Sequence, residues 1–254
     1  MPSIADLPRP VKTYHTQTYD RISPSNAQFK GEGKTVLITG GVTGQSTKPA
    51  PAMEPTTNTQ SDRPRMIEVL SSVGPIDVLV LSAAASHKHV KSTSIDPAEF
   101  DETFTTNILA CYDMVRAYIS QPSPSNKTVI NVSSGAAHVT LPGQVGYGAS
   151  KAGFLHVLSA MAAEYSPETD GVRLMSMPPG TILTDMARKT GYGEADFPWE
   201  DEKLPGDFAV WLAGNEADFL HGRLVWAQWD VEELLGLRKR AEEEPGFLKL
   251  GLIF

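Results

Sequence analysis

Short runs of β-branched and aliphatic residues, separated by longer stretches of helical period, restrict this chain more than anything else in its sequence. The runs are Thr35 to Thr39, Asp77 to Leu81, Thr128 to Val132, Val172 to Met177 and Leu224 to Trp226. The helical stretches are Arg65 to Ser72, Pro97 to Ile119, Gly148 to Tyr165, Asp207 to Leu212 and Val231 to Glu244. Apolar runs that alternate with helices are buried on both faces, so the expected fold is α/β with a doubly wound parallel sheet. Asp96 before Pro97 reads as a cap followed by a proline at the first helical position. No internal repeat or composition break divides the chain, so a single domain is expected.

Charge and cysteine usage narrow the partners. The 30 acidic and 22 basic residues give a formal charge of -8, which disfavours a nucleic-acid backbone or an anionic membrane as partner and leaves a small-molecule substrate. Cys111, the sole cysteine, can form neither an internal disulfide nor a thiolate metal site, which suits a reducing, cytoplasmic compartment. The segment from Met1 to Asn26 carries Pro2, Pro8, Pro10 and Pro24 and lacks the pattern of a secretory signal. Apolar runs such as Val78 to Leu81 are too short to span a bilayer. The pair His87-x-His89 lies in a polar stretch without a third ligand at suitable spacing, so both histidines read as solvated loop residues and no metal site is expected.

The stretch from Gln45 to Pro64 is anomalous. Pro49, Pro51, Pro55 and Pro64 among many serines and threonines forbid a helix or core strand, leaving a proline-rich loop at 45–64. A loop of about twenty residues is long for a compact domain, so it is either functional or marks lost sequence.

Two motifs carry chemistry. Thr39-Gly40-Gly41-Val42-Thr43-Gly44 follows a strand, where glycines let the backbone turn tightly and approach a pyrophosphate; a glycine turn without ligand is the alternative. Tyr147 and Lys151 stand four residues apart on a helix expected to start at Tyr147, so the ammonium can lie near the phenol and favour its phenolate form. A surface tyrosine and a solvated lysine would share that spacing. Ser134 ends the run from Thr128, at the carboxyl edge where ligands bind in a doubly wound sheet, and can donate to a substrate oxygen. Ser133 reads as a structural hydroxyl. His138 can touch substrate or be a plain loop histidine, and the segment from Thr181 to Pro205 is either a lid or a solvated loop.

With these residues the chain resembles the short-chain dehydrogenase/reductase family over Lys34 to Asp230, apart from the proline-rich stretch. The resemblance rests on Thr39 to Gly44, Asp77-Val78-Leu79-Val80, Asn107, Ser134, Tyr147, Lys151 and Pro179-Gly180-Thr181-Ile182-Leu183-Thr184. It implies a Rossmann-like sheet and an oxidoreductase that moves a hydride between NADP(H) or NAD(H) and a carbonyl or secondary alcohol. Tyr147 would be the proton donor, Ser134 would hold the substrate oxygen, and Lys151 would bind the nicotinamide ribose. Asn107 would anchor a water linking Lys151 to solvent. Gly40, Gly44, Ser82 and Gly180 would line the cofactor, and Ile182 and Thr184 would contact its carboxamide. The stretch from Phe219 to Asp230 resembles the last strand of a fungal-type branch, which implies a secondary-metabolite substrate, and the family implies a homo-oligomer.

The chain also departs from the family pattern. The second glycine pair and the helix, strand, helix and strand that usually follow Gly44 are missing, and Ser82-Ala83-Ala84 replaces an Asn-Ala-Gly. In the family's strand order 3-2-1-4-5-6-7, strands 2 and 3 would be absent, baring the edge at Thr35 to Thr39 unless the proline-rich loop or the N-terminal segment covers it. The expected division is an N-terminal extension over 1–33 and a family-like domain over 34–254. Two other functions remain open: a cofactor-independent isomerase or cyclase that keeps Tyr147 as acid, and a non-catalytic truncated product.

Overall fold

The computed structural model describes residues 7–40, 68, 70, 72–122 and 126–251. Four parallel strands, β1 (Val36–Thr39), β2 (Val78–Leu81), β3 (Lys127–Val132) and β4 (Val172–Met177), lie side by side in that order among these residues. Thr39 pairs with Leu81, Leu81 with Asn131, and Val132 with Met177, so all carboxyl ends reach the same edge. β2, β3 and β4 are buried throughout, β2 as an unbroken apolar run and β3 and β4 with polar side chains such as Asn131, Arg173 and Ser176 buried among apolar ones.

Because successive strand side chains point to opposite faces, the sheet divides its apolar residues between two cores. Val80, Ile130, Val132 and Met175 pack on one face with Phe208, Trp211, Leu220 and Leu234. Leu79, Leu81, Val129 and Leu174 pack on the other with Met114, Val115, Tyr118 and Phe154. Each fully buried large side chain contributes about 2 kcal/mol by leaving water.

The helices on the second face are α1 (Pro97–Phe104), α2 (Cys111–Ser120) and α3 (Val145–Glu164). Asp96 caps α1 by accepting from the Ala98 amide at 2.8 Å, as the Asp-Pro pair predicts. A π-helical turn at Thr105–Ala110 joins α1 to α2, so the expected single helix from Pro97 to Ile119 contains a widened segment. α3 begins two residues before Tyr147 rather than at it. α4 (Asp185–Lys189), α5 (Lys203–Leu212), α6 (Val231–Leu235) and α7 (Arg238–Glu243) complete the set. The expected helix from Val231 to Glu244 is thus two, divided at Gly236 and Leu237.

Leu224 to Trp226 does not form the expected strand. It makes one parallel bridge, Ser176 to Leu224, flanked by Ser176 N to Arg223 O at 3.0 Å and Val225 N to Ser176 O at 3.0 Å. Gly222 at φ +72 turns the chain in beside β4, and a turn from Trp226 to Trp229 takes it out again, so the ladder cannot lengthen.

The N-terminal segment packs beyond this stretch. Tyr14 forms an antiparallel bridge with Trp229, and His15 N donates to Gln228 O at 2.8 Å. Val11 and Ile22 are buried in the first core, and Arg21 pairs with Glu216 at 2.7 Å. The segment therefore covers the side of the sheet opposite β1, and among the described residues nothing pairs with the outer edge of β1, where Val36 and Ile38 are exposed. The proline-rich loop and most of the helix expected from Arg65 to Ser72 lie outside the described residues; Glu68, Leu70 and Ser72 within it are helical.

Arg173 pins the sheet to the first-face layer from inside β4. Its guanidinium donates to Thr128 Oγ1 at 2.7 Å, Ala213 O at 2.6 Å, Gly214 O at 2.8 Å and Asp218 Oδ1 at 2.7 Å. Arg173→Leu leaves Thr128, Ala213 and Gly214 without this donor, so chemical denaturation should show a loss of about 3 kcal/mol, with Asp218→Ala costing far less because the Asp218 carboxylate is already exposed and the guanidinium keeps its three other acceptors.

Candidate active site

Gly40, Ser82, Ser134 and Gly180 follow β1, β2, β3 and β4 respectively, so the parallel register gathers them at one edge. Gly40 has φ +73, and a Cβ there would lie 2.8 Å from the backbone of Ala83. The β1 turn and the loop after β2 are also joined by Thr39 Oγ1, which accepts from the amides of Ser82 and Ala83, each at 3.1 Å. Gly44 lies outside the described residues.

Tyr147 and Lys151 share a face of α3 and are both buried, so the reading of a surface tyrosine with a solvated lysine fails. Lys151 Nζ donates to the carbonyl of Val132, the last residue of β3, at 2.9 Å and lies 5.8 Å from the centre of the Tyr147 ring. A buried ammonium needs such an acceptor, and the strand end supplies it. Ser134 sits next but one in the chain; its Oγ accepts from the Ala136 amide at 3.2 Å, which leaves the hydroxyl hydrogen free to donate. Ser133 is buried, as a structural hydroxyl would be, and its hydroxyl has no hydrogen-bond partner among the described residues.

Asn107 lies in the π-helical turn and is buried. Its side chain brackets Ala85, accepting from N and donating to O at 2.9 Å each, and donates to Ser150 Oγ at 2.9 Å. Ser150 in turn donates to Tyr147 O at 2.8 Å, so Asn107 ties the loop after β2 to the helix that carries the phenol.

The Pro179-Gly180-Thr181 turn is held by Glu200, which the sequence does not single out. Glu200 Oε2 accepts from Thr181 N at 2.7 Å and Gln228 Nε2 at 2.9 Å, and Oε1 accepts from Tyr14 OH at 2.8 Å. Burial pushes the Glu200 carboxyl above the usual range, against the pull of these donors, and burial beside Glu200 likewise raises the Tyr14 phenol. Gly180 has φ +98, and a Cβ there would fall 1.8 Å from Gln228 Nε2 and 2.0 Å from Glu200 Oε2. Glu200 N also donates to Thr181 O at 2.9 Å, closing 181–200 into a loop with its ends together.

Inside that loop Tyr192, Phe197 and Trp199 pack edge to face at 5.2 and 5.3 Å. Tyr192 reaches out to His89 at 5.1 Å and to Gln144 Nε2 at 3.4 Å, the latter just before α3. The aromatic residues of the segment thus pack against neighbouring loops, while Glu194, Asp196 and Pro198 stay exposed. Ile182 is half-buried, and Thr184 caps α4 by accepting from Ala187 N at 3.2 Å.

Histidines depart from their expected positions. His87 is fully buried, its Nδ1 2.6 Å from the Lys88 carbonyl oxygen. Burial, aided by His87, holds the His89 imidazole below its usual range. His138 accepts from Trp226 Nε1 at 3.0 Å and borders a cleft of about 370 Å³ between the chain ends, lined also by Tyr14, Leu155, Trp229 and Lys249. Tyr147, Lys151 and Ser134 do not line it. The glycines Gly146 and Gly180 are the only sequence hints to His87 and Glu200, since each marks a backbone that another side chain must approach.

A family model described as short chain dehydrogenase matches residues 53–195. A short chain dehydrogenase/reductase of Aspergillus novofumigatus is 40% identical over 284 residues, covering 97% of this chain and 97% of the relative. Another, of Aspergillus aculeatus, is 39% identical over 279 residues, covering 96% and 97%. The first alignment spans 284 positions and this chain has 254 residues, so the relative carries residues opposite gaps in this chain. Among solved structures, BdcA in complex with NADPH superposes with a TM-score of 0.65 at 21% identity, covering 76% of this chain and 92% of that one.

The clasp around Gly180 is open to a direct check. Glu200→Gln puts a donor where an acceptor is needed and should lower stability by about 2 kcal/mol in urea unfolding, with Gly180→Ala costing at least as much.

Proposed function

We propose that this chain, which belongs to the short-chain dehydrogenase/reductase family and is an NAD(P)-dependent oxidoreductase, interconverts a carbonyl and a secondary alcohol on a small, secondary-metabolite-type substrate. The observation that carries the proposal is the pairing of buried Tyr147 and Lys151 on one face of α3, with the ammonium fixed to the end of β3.

The described residues fit the nicotinamide end of a dinucleotide. Lys151 spends one ammonium hydrogen on Val132 O, and the other two meet no acceptor among the described residues, which suits a ribose diol. Gly40 and Gly180 take left-handed backbone conformations that let the turns after β1 and β4 close against Ala83 and against Gln228 and Glu200, fixing the backbone beside which a cofactor would lie. Gly44 and the rest of the pyrophosphate turn fall outside the described residues. When bound, the nicotinamide would supply or take the hydride.

In the reducing direction Ser134 donates its free hydroxyl hydrogen to the carbonyl oxygen and orients it. Tyr147 then passes its phenolic proton to that oxygen as the carbon receives the hydride. Lys151 stabilises the phenolate left behind by opposite charge. Asn107 holds Ser150, and through it the backbone of Tyr147, and would order the water that returns the proton by way of Lys151.

A cytoplasmic homo-oligomer belongs to the same proposal. No helix among the described residues is long and apolar enough to cross a membrane, and Leu109 and Tyr112 expose apolar surface along the α1 to α2 segment that family members use for assembly.

Calorimetric titration with NADPH and NADH should give a dissociation constant of about 1–100 µM. Tyr147→Phe should bind the nucleotide equally but lose about 100-fold or more in kcat. Absence of binding contradicts the redox reading, and turnover without nicotinamide would favour an isomerase or cyclase.

A further inference from the structure

Helix α3 starts without a cap of its own. Gln144, just before it, makes no side-chain hydrogen bond to the first turn. The first amides of a helix have no partner within it, and here that turn carries Tyr147 as its third residue. The missing acceptor arrives from the loop after β2. His87 Nε2 accepts from Gly146 N at 3.0 Å and, more weakly, faces Tyr147 N at 3.4 Å.

The ring is committed to this task. Its Nδ1 lies 2.6 Å from the Lys88 carbonyl oxygen, which can only accept, so Nδ1 carries the hydrogen and Nε2 presents a lone pair to the two amides. His87 is fully buried, so no water competes for that lone pair. Gly146 makes the approach possible: a Cβ there would lie 2.8 Å from His87 Cδ2 and 2.9 Å from Phe100 Cδ2. The loop is itself anchored on either side, by Asn107 at Ala85 and by Lys88 N donating to Glu99 at 3.0 Å.

We infer that His87 is a positioning residue for Tyr147, fixing the height and direction of the first turn of α3 so that the phenol meets a substrate oxygen at the edge of the sheet. It touches no reacting atom and acts through the backbone. The inference rests on the proton-transfer role proposed for Tyr147.

The test compares His87→Leu, His87→Gln and Gly146→Ala with the wild-type chain, using amide hydrogen exchange over 144–150 and NADPH-dependent reduction of 9,10-phenanthrenequinone. His87→Leu and Gly146→Ala should speed exchange of the first-turn amides about ten-fold or more while β3 and β4 stay protected. They should also lower kcat about ten-fold or more, with the KM for NADPH changed less than about three-fold. His87→Gln places an amide oxygen where Nε2 stands and should restore most of both. Wild-type exchange rates in His87→Leu, or an equal loss of kcat in the Gln and Leu variants, would overturn the inference, since either marks a histidine that only fills space. If the wild-type chain fails to reduce the quinone, the redox reading fails, and the exchange comparison alone still decides the role of His87.

Discussion

The hydrogen bond from Lys151 to the carbonyl of Val132 joins the two halves of this structure, a helix and the strand end beneath it. A buried ammonium is costly unless an oxygen receives it. A parallel strand supplies one at its carboxyl end, because its last carbonyl runs out of ladder there. Once that bond sets the rotation of α3, Tyr147, one turn earlier, must face the same edge. Ser134 then follows two residues after Val132 with its hydroxyl hydrogen unspent. The chemistry is positioned by the end of a strand.

Around this bond the loops after the strands form a frame made mostly of side chain to backbone hydrogen bonds. Asn107 and His87 both join the loop after β2 to α3, one through Ser150 and the other at the helix start. On the other side Glu200 gathers Tyr14, Thr181 and Gln228, so the N-terminal segment, the turn after β4 and the stretch beside β4 meet at one carboxylate. The N-terminal segment is therefore part of the site's support, through Tyr14. Together these contacts explain how a sheet whose β1 edge has no partner among the described residues can still hold a defined set of groups: what fixes them lies between β2 and the far side of β4.

Much of this was legible in the sequence, for reasons that differ by residue. Val172 to Met177 matches β4 end for end because its apolar residues alternate into the two cores and the run stops where Pro178 begins. Tyr147 and Lys151 stand out by their four-residue spacing and Ser134 by its place at a strand end, whereas Asn107 is visible only through the family resemblance. Leu224 to Trp226 looked like a strand by composition, but Gly222 and the turn at Trp229 limit it to one bridge. The π-helical turn was invisible, since a widened turn leaves the apolar pattern of Pro97 to Ile119 nearly intact. His87 was misread because its neighbours are polar and its partner lies 59 residues away. Glu200 is not singled out by the sequence, since a carboxylate near Glu194, Asp196 and Asp201 shows no sign of the contacts that Tyr14 and Gln228 make with it.

Transfer of label from NADPH carrying deuterium at the transferable C4 position tests most directly whether the Lys151 arrangement works as an oxidoreductase site. With 4-nitrobenzaldehyde as the carbonyl, whose alcohol keeps the transferred hydrogen on carbon, the wild-type chain should place deuterium on the carbinol carbon. Lys151→Met, folded as judged by circular dichroism, should do so about 100-fold more slowly or not at all. Label transfer at the wild-type rate by Lys151→Met, or an unlabelled product from the wild-type chain, would contradict this account.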